Sequence, residues 1–155
     1  MPLDLSYKGK EIAAYTFEVD RSKIRELAAA IGDPNPIFTD PALARGEGCA
    51  DTPAPLTFAT VMTFGGCPDI WSLMSEMGLD TKRLLHAKEE YEYLAPLYPG
   101  DVLQGRIVVE ALRGGRMEMA SFQTTYTRGG ESVLRARMTV IVPPEGNPQA
   151  EGEAP

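Results

Sequence analysis

A carboxylate and an amide lie two residues apart in a stiff loop near the start of this chain. The segment Gly-Asp-Pro-Asn-Pro-Ile-Phe-Thr-Asp, residues 32–40, places Asp33 directly before a proline and Asn35 between two prolines. A carboxylate can take up a proton or orient a water, and an amide can bond a carbonyl oxygen, so the pair could serve acid–base chemistry. The simpler interpretation is that both side chains bond the adjacent backbone and shape the turn, which Asp and Asn commonly do.

The elements on the N-terminal side of this loop determine where it lies. Alternation of apolar residues over residues 11–19 predicts a strand, and apolar positions at i, i+3, i+4 and i+7 in residues 22–31 predict a helix. Asp20 or Ser22 can cap that helix. Gly32 is a typical residue at a helix C-terminus, and the prolines after it prevent the helix from continuing.

An almost wholly apolar segment follows the loop. Residues 56–64, LTFATVMTF, have threonine as their only polar component, so they fit either a buried strand or a buried helix. Residues 41–45 suggest a short helical turn before this segment. The glycines at 65–66 end it, and residues 70–77 suggest a further helix.

The second half of the chain predicts three long antiparallel strands. They cover residues 103–111, 117–127 and 134–142 and are rich in strand-favouring residues or alternate in polarity. The pairs Gly114–Gly115 and Gly129–Gly130 separate them and can supply the positive φ angles of tight hairpins.

Two further strands complete the predicted sheet. One is the N-terminal strand, and the other lies around Tyr91 and Tyr93, which we expect to be core or interface aromatics. The fold class predicted from these elements is α+β, with an antiparallel sheet packed on a helix. An unpaired sheet edge is an aggregation hazard that pairing removes, so dimerisation is expected.

Two segments resemble one protein family. The run GDPNPIFTDPALARGEGCADTPAPLTFATVMTF (residues 32–64) and the run RLLHAKEEYEYLAPLYPGDVL (residues 83–103) are similar to the MaoC-like (R)-specific enoyl-thioester hydratases and dehydratases, in the N-terminal MaoC-like dehydratase type. The resemblance implies a hot-dog fold, in which an antiparallel sheet wraps around one long central helix. It favours a helix for residues 56–64. We assign residues 1–142 to this domain and residues 143–155, rich in Pro, Gly and Glu, to a disordered tail.

The resemblance also identifies candidate site residues and one departure. Active members carry an Asp and, five residues later, a His as the catalytic pair; Asp33 matches the Asp, but Phe38 occupies the His position. Phe has no exchangeable proton, so Asp33 is left weakly active or vestigial. The expected substrate-binding residues are Asn35, Phe38, Pro55, Leu56 and Thr57, with a backbone N–H at Leu56 or Thr57 as oxyanion donor.

Two residues carry alternative interpretations. Phe38 either lines a site for an acyl chain or fills space where a site has decayed. His86, the only histidine, is either an ordinary strand residue or a relocated base.

Composition limits the class of protein. The 155 residues suit one domain, and a net charge of −7 argues against nucleic acid or an anionic membrane as the partner. No long apolar run or signal sequence is present, so a cytoplasmic location is expected. Cys49 and Cys67 form no CxxC pair and have no neighbouring histidine, so we expect reduced thiols and no metal site. No cofactor is expected.

The sequence leads to one hypothesis and two alternatives. The first is a non-catalytic, acyl-chain-binding subunit of a (R)-3-hydroxyacyl thioester dehydratase or 2-enoyl-CoA hydratase, paired with a catalytic hot-dog subunit. The substrate would be a thioester of CoA or of acyl carrier protein. The alternatives are a self-sufficient homodimeric hydratase that uses Asp33, and a non-enzymatic protein that binds acyl-CoA or lipid. Acyl chain length and carrier are not determined by the sequence.

Overall fold

The structure, a computed structural model, describes residues 2–144 and contains a single five-stranded antiparallel sheet in that range. The strands lie in the order β1-β3-β4-β5-β2, so β1 and β2 are the edges. Their bounds are β1 Glu11–Glu18, β2 Leu85–Tyr93, β3 Val102–Arg113, β4 Glu118–Arg128 and β5 Glu131–Val142. The helices are α1 Arg21–Ala30, α2 Pro41–Gly46, α3 Phe58–Gly66 and α4 Ile70–Glu76.

The three C-terminal strands form the predicted consecutive hairpins. Gly129 and Gly130 have φ angles of 59° and 88°, and Gly115 has a φ of 137°. These are conformations that glycine adopts without the steric cost of a Cβ atom. Gly114 is not among the glycines with positive φ, so only one residue of the first pair acts as predicted. Strand β5 ends at Val142, and the predicted tail lies outside the described residues from position 145 onward.

The ambiguous apolar segment is a helix. In α3, Phe58, Ala59 and Met62 are fully buried and belong to a core cluster that includes Leu103 and Tyr126 from the sheet. The helical layer continues as α4 after a break at residues 67–69. The single long central helix that we expected is therefore two consecutive helices. The N-terminal helix α1 is capped by the Asp20 side chain, which accepts from the Ser22 amide.

A buried hydroxyl chain joins α3 to the sheet. The Tyr126 hydroxyl lies 2.8 Å from the Tyr15 hydroxyl and 2.8 Å from the Thr63 Oγ1. The Tyr15 ring fits between two glycines, because a Cβ atom on Gly66 or Gly105 would lie 2.3 Å or 2.7 Å from ring atoms of Tyr15. The helix therefore approaches the sheet at a distance that only glycine at these two positions permits.

The variant Gly66→Ala tests this close approach. Because the added methyl group overlaps the Tyr15 ring, we expect a loss of about 1–3 kcal/mol in the free energy of unfolding, the usual range for overpacking a core. Urea unfolding measures it. Gly46→Ala is the matched control, since a Cβ atom there meets nothing within 4 Å. Equal stability of the two variants would contradict the packing described.

Candidate functional site

The motif loop uses its polar side chains locally. The Asp33 Oδ1 accepts from the Asn35 amide at 2.9 Å, and the Asn35 Oδ1 accepts from the Ile37 amide at 3.1 Å. Gly32, with φ of 69°, turns the chain out of α1, and a short 3-10 turn at Pro36–Phe38 follows. Both side chains are exposed. This is the turn-shaping arrangement, and it leaves the Asp33 Oδ2 without a hydrogen bond within residues 2–144.

Phe38 forms part of an apolar groove. Its half-buried ring packs against the core cluster around α3. The groove has a volume of about 520 Å³ and is lined by three segments, residues 37–38, 53–56 and 93–97. Leu56 is 72% exposed and Leu94 47% exposed, so a substantial apolar surface faces solvent here. Apolar surface gathered in a concave site is typical of ligand or protein contact.

The structure brings together three of the predicted site residues. Phe38, Pro55 and Leu56 line the groove, whereas Asp33, Asn35 and Thr57 are not part of its lining. The candidate site residues are thus divided between the groove and the adjacent exposed turn.

The start of α3 lies beside the groove. The helix begins at Phe58, later than expected, with Thr57 as its N-cap residue and with no capping bond from the Thr57 side chain. The Phe58 amide donates to the Pro55 carbonyl at 2.9 Å. The amides of Leu56 and Thr57 donate to no acceptor within the described range. Free N–H groups at a helix N-terminus favour a negatively charged or polar oxygen.

Tyr93 anchors this turn, a role that its position in the sequence does not reveal. Its hydroxyl donates to the Leu56 carbonyl at 2.8 Å and lies 3.5 Å from the Pro55 carbonyl. Burial raises the pKa of Tyr93, so the hydroxyl keeps its proton and remains a donor at neutral pH. Tyr91, on the same face of β2, bonds Thr60 of α3 at 3.0 Å. The alternation of Tyr91 and Tyr93 was visible in the sequence, but their partners more than thirty residues away were not.

The third wall of the groove is held by the Pro-Gly-Asp segment. Asp101 accepts from the Tyr98 amide at 2.9 Å and from the Arg128 guanidinium at 2.6 Å. The same guanidinium donates to the Pro96 carbonyl at 3.2 Å. The Asp of the second characteristic stretch therefore positions residues 93–97 and does not face the groove.

An ion pair fixes the loop before the groove. Arg21 at the start of α1 makes two bonds to Asp51, of 2.7 Å and 2.8 Å, and also donates to Thr52 at 3.2 Å. The hydrogen bonds from Arg21, followed by the bond from the Thr52 amide, hold the pKa of Asp51 well below its ordinary value. Thr52 is fully buried, so this clamp connects α1 to the loop that carries the second wall.

His86 lies elsewhere. Its Nε2 is 3.1 Å from the Sδ of Met138, and its ring centroid is 6.3 Å from that of Phe64. Phe64 in turn stacks on Trp71, with centroids 5.4 Å apart. The groove lining does not include His86, so the geometry offers no support for a relocated base at Phe38.

Metal-ligand clusters and membrane-spanning helices are both absent from residues 2–144. No group of three or more His, Cys, Asp or Glu side chains in that range is placed to hold a metal ion. None of the described helices combines the length and apolar character needed to cross a bilayer. Cys49 and Cys67 are unpaired, and Cys67 is buried, which raises the pKa of its thiol.

Comparison with known proteins identifies the family. A profile described as the FAS1-like dehydratase domain region matches residues 6–136. The chain belongs to this dehydratase domain family. Among curated relatives, a UPF0336 protein from Streptomyces avermitilis is 38% identical over 73% of this chain and 75% of its own length. A UPF0336 protein from Thermobifida fusca is 35% identical over 81% of this chain and 84% of its own length.

Solved structures confirm the MaoC-like hot-dog fold of this FAS1-like dehydratase domain. The truncated HadBC complex (3R-hydroxyacyl-ACP dehydratase) of Mycobacterium tuberculosis has a TM-score of 0.71 and 23% identity, covering 87% of this chain and 96% of that one. The ChsH1-ChsH2 complex of the same organism has a TM-score of 0.69 and 22% identity, covering 89% of this chain and 87% of that one. The (R)-hydratase of A. caviae has a TM-score of 0.66 and 19% identity, covering 86% of this chain and 94% of that one.

The Arg21–Asp51 clamp predicts a pH-dependent stability. A carboxylate whose pKa is lowered by folding contributes stability above its unfolded pKa, about 3.9, and loses it as pH falls through the lowered value. Asp51→Asn should therefore lower Tm by a few degrees at pH 7, and the difference from the unmodified protein should shrink below about pH 4. Thermal melts of both proteins at pH 7 and at a pH below about 4 measure this effect. Asp33→Asn, which breaks no ion pair, serves as control; a constant Tm difference for Asp51→Asn across this range would contradict the clamp.

Proposed function

We propose that this chain is the non-catalytic, acyl-binding subunit of a (R)-3-hydroxyacyl thioester dehydratase or 2-enoyl thioester hydratase. It pairs with a second hot-dog chain that carries the intact Asp and His. One observation carries the proposal: Phe38, at the position of the catalytic His in active members, forms part of one wall of an apolar groove. The substrate is a thioester of CoA or of acyl carrier protein, and the reaction is reversible addition of water to its double bond.

The missing imidazole is the chemical reason for a second subunit. Hydration needs one group to take a proton from water and another to deliver a proton to the α-carbon. Asp33 can accept a proton through its unbonded Oδ2, but Phe38 can do neither task. Loss of one general acid or base typically costs about 10²- to 10⁴-fold in rate. The remaining carboxylate alone would sustain little turnover.

The groove suits the substrate's apolar part. The ring of Phe38 and the side chains of Pro55 and Leu56 present carbon surface, which favours an acyl chain over water. The free amides of Leu56 and Thr57 lie at the same turn and could bond the thioester oxygen as charge develops on it. Tyr93 supports this role because its hydroxyl bonds the Leu56 carbonyl and so holds the turn that carries these amides.

The comparisons support a paired assembly. Two of the structural neighbours are complexes by name, HadBC and ChsH1-ChsH2, and HadBC is named as a 3R-hydroxyacyl-ACP dehydratase. The chain's negative charge makes nucleic acid or an anionic membrane a poor partner, which is in keeping with a cytoplasmic enzyme of acyl metabolism.

The purified chain alone should hydrate crotonyl-CoA at a negligible rate. The same assay with a hot-dog chain that bears Asp and His five residues apart should show turnover above that of either chain alone. Loss of absorbance of the conjugated thioester measures both. Turnover by the chain alone within tenfold of a median enzyme value of ~10 s⁻¹ would overturn the non-catalytic assignment and favour a self-sufficient hydratase. If the chain binds acyl-CoA but no hydration occurs either alone or with the partner chain, the result would favour a non-enzymatic binding protein.

Phe38→His should partly restore activity to the chain alone. An imidazole with pKa near 6.5 is suited to proton transfer at neutral pH. We expect weak rescue, because a displacement of about 1 Å can cost a hundredfold in rate, and Asp33 is held in its local turn. Crotonyl-CoA hydration is the measurement.

The double variant Phe38→His/Asp33→Ala separates two explanations of such a rescue. If the added His works with Asp33, activity disappears in the double variant. Activity that persists shows that Asp33 is not part of the restored site. No gain in a folded Phe38→His variant would mean that the pocket geometry no longer supports hydration.

A further inference from the structure

Strand β2 leaves one edge of the sheet unpaired within the described residues. It bonds β5 on one side and has no neighbour on the other. Trp71, 41% exposed, and Leu85, 40% exposed, lie at its N-terminal end, where Trp71 stacks on Phe64. A free edge with exposed apolar and aromatic side chains beside it is typical of a surface that another chain covers.

One charged side chain of β2 points to the helix-facing side of the sheet. Glu89 lies opposite Met138 of β5, and Tyr91 lies opposite Ala136, so Glu89 shares the inner face with Tyr91. Glu89 and Tyr91 both line a narrow pocket between α3 and the sheet, together with Thr60. An inward-pointing charge on an edge strand is a known device against unwanted strand pairing.

The neighbouring charges of β2 lie on the outer face and are compensated. Glu90 pairs with Lys88 at 2.8 Å and lies 3.5 Å from Arg137, and Glu92 pairs with Arg135 at 2.9 Å. Glu89 forms no ion pair within residues 2–144, and its polar neighbour is Tyr91. Its negative charge is therefore available to act on whatever approaches the edge.

Self-pairing of β2 would bring two Glu89 carboxylates together. Residues that oppose each other across antiparallel strands point to the same side of the sheet. If the helices of both chains lie on the same side of the joined sheet, the helix-facing residues of one β2 therefore lie opposite the helix-facing residues of the other. Glu89 is the middle of the nine residues of β2, and full overlap places it opposite its own copy. In the same register Lys88 faces Glu90 of the copy in two symmetric contacts, which are favourable, but each Lys88 already pairs with Glu90 in its own chain. The central like-charge pair is then the destabilising contact.

We propose that Glu89 disfavours pairing of this chain with itself and directs the β2 edge to a different hot-dog chain. That chain presents a cation or a hydrogen-bond donor opposite Glu89. This inference rests on the pairing in the proposed function and names the chemistry that selects the partner. Like charges across an interface suppress the wrong partner, whereas complementary groups favour the right one.

Three substitutions test the proposal by sedimentation equilibrium of the full chain at pH 7.5. Glu89→Gln removes the repulsion, so its self-association constant should rise at least tenfold over that of the unmodified chain. The self-association constant of Glu89→Lys alone should not rise in this way, because two like charges still meet. A mixture of Glu89→Lys with the unmodified chain should form dimers at least tenfold tighter than either chain forms alone. Glu92→Gln, on the outer face of the same strand, should change self-association less than threefold.

Two results would overturn the proposal. One is a Glu89→Gln chain that self-associates no more tightly than the unmodified chain, whether that chain is monomeric or dimeric. The other is a mixture of Glu89→Lys and unmodified chains that forms no tighter dimer than its components. Circular dichroism verifies folding, and the Gln variant alone decides if the Lys variant does not fold. Because no assay of hydration enters, this outcome is independent of the test of catalytic role.

Discussion

The contact between α3 and the sheet around Tyr15 is the constraint on which the rest of the structure depends. The ring occupies the space that Gly66 and Gly105 leave empty, and its hydroxyl joins a buried chain with Tyr126 and Thr63. Burial raises the pKa of Tyr126 far above its ordinary value, so these hydroxyls stay neutral and act as hydrogen-bond partners. A helix held this closely determines where its first turn lies, and that turn carries one wall of the groove.

The groove keeps its shape because two of its three walls, residues 53–56 and 93–97, have polar anchors. The turn at Leu56 is tied to Tyr93, the loop before it to α1 by the Arg21–Asp51 pair, and the third wall to β4 by Arg128 and Asp101. None of these bonds involves Phe38. The side chain at position 38 can therefore vary without breaking any of these anchoring bonds.

The sequence predicted the sheet well and the site only in part. Alternation and glycine pairs identified the strands because each side chain's face follows directly from its position along the chain. The helix at residues 56–64 needed the family resemblance, since an unbroken apolar run has no period that separates helix from strand. Tyr93 and Asp101 act through partners distant in the chain, Leu56 and Arg128, which no local pattern reveals.

The loss of the imidazole and the placement of Glu89 bear on each other. In a self-paired dimer both subunits would carry Phe38, and the assembly would contain no His at either catalytic position. Each such dimer would also remove a subunit from the productive complex by mass action. Under the proposal, a carboxylate in the middle of β2 limits this competition at small cost to the free chain, because Glu89 is exposed there. The repulsion acts only in the self-paired state, so a partner with a complementary group incurs none of it. Under the proposed division of labour, a chain that has lost one catalytic group is useful only if its edge strand prefers another chain to its own copy.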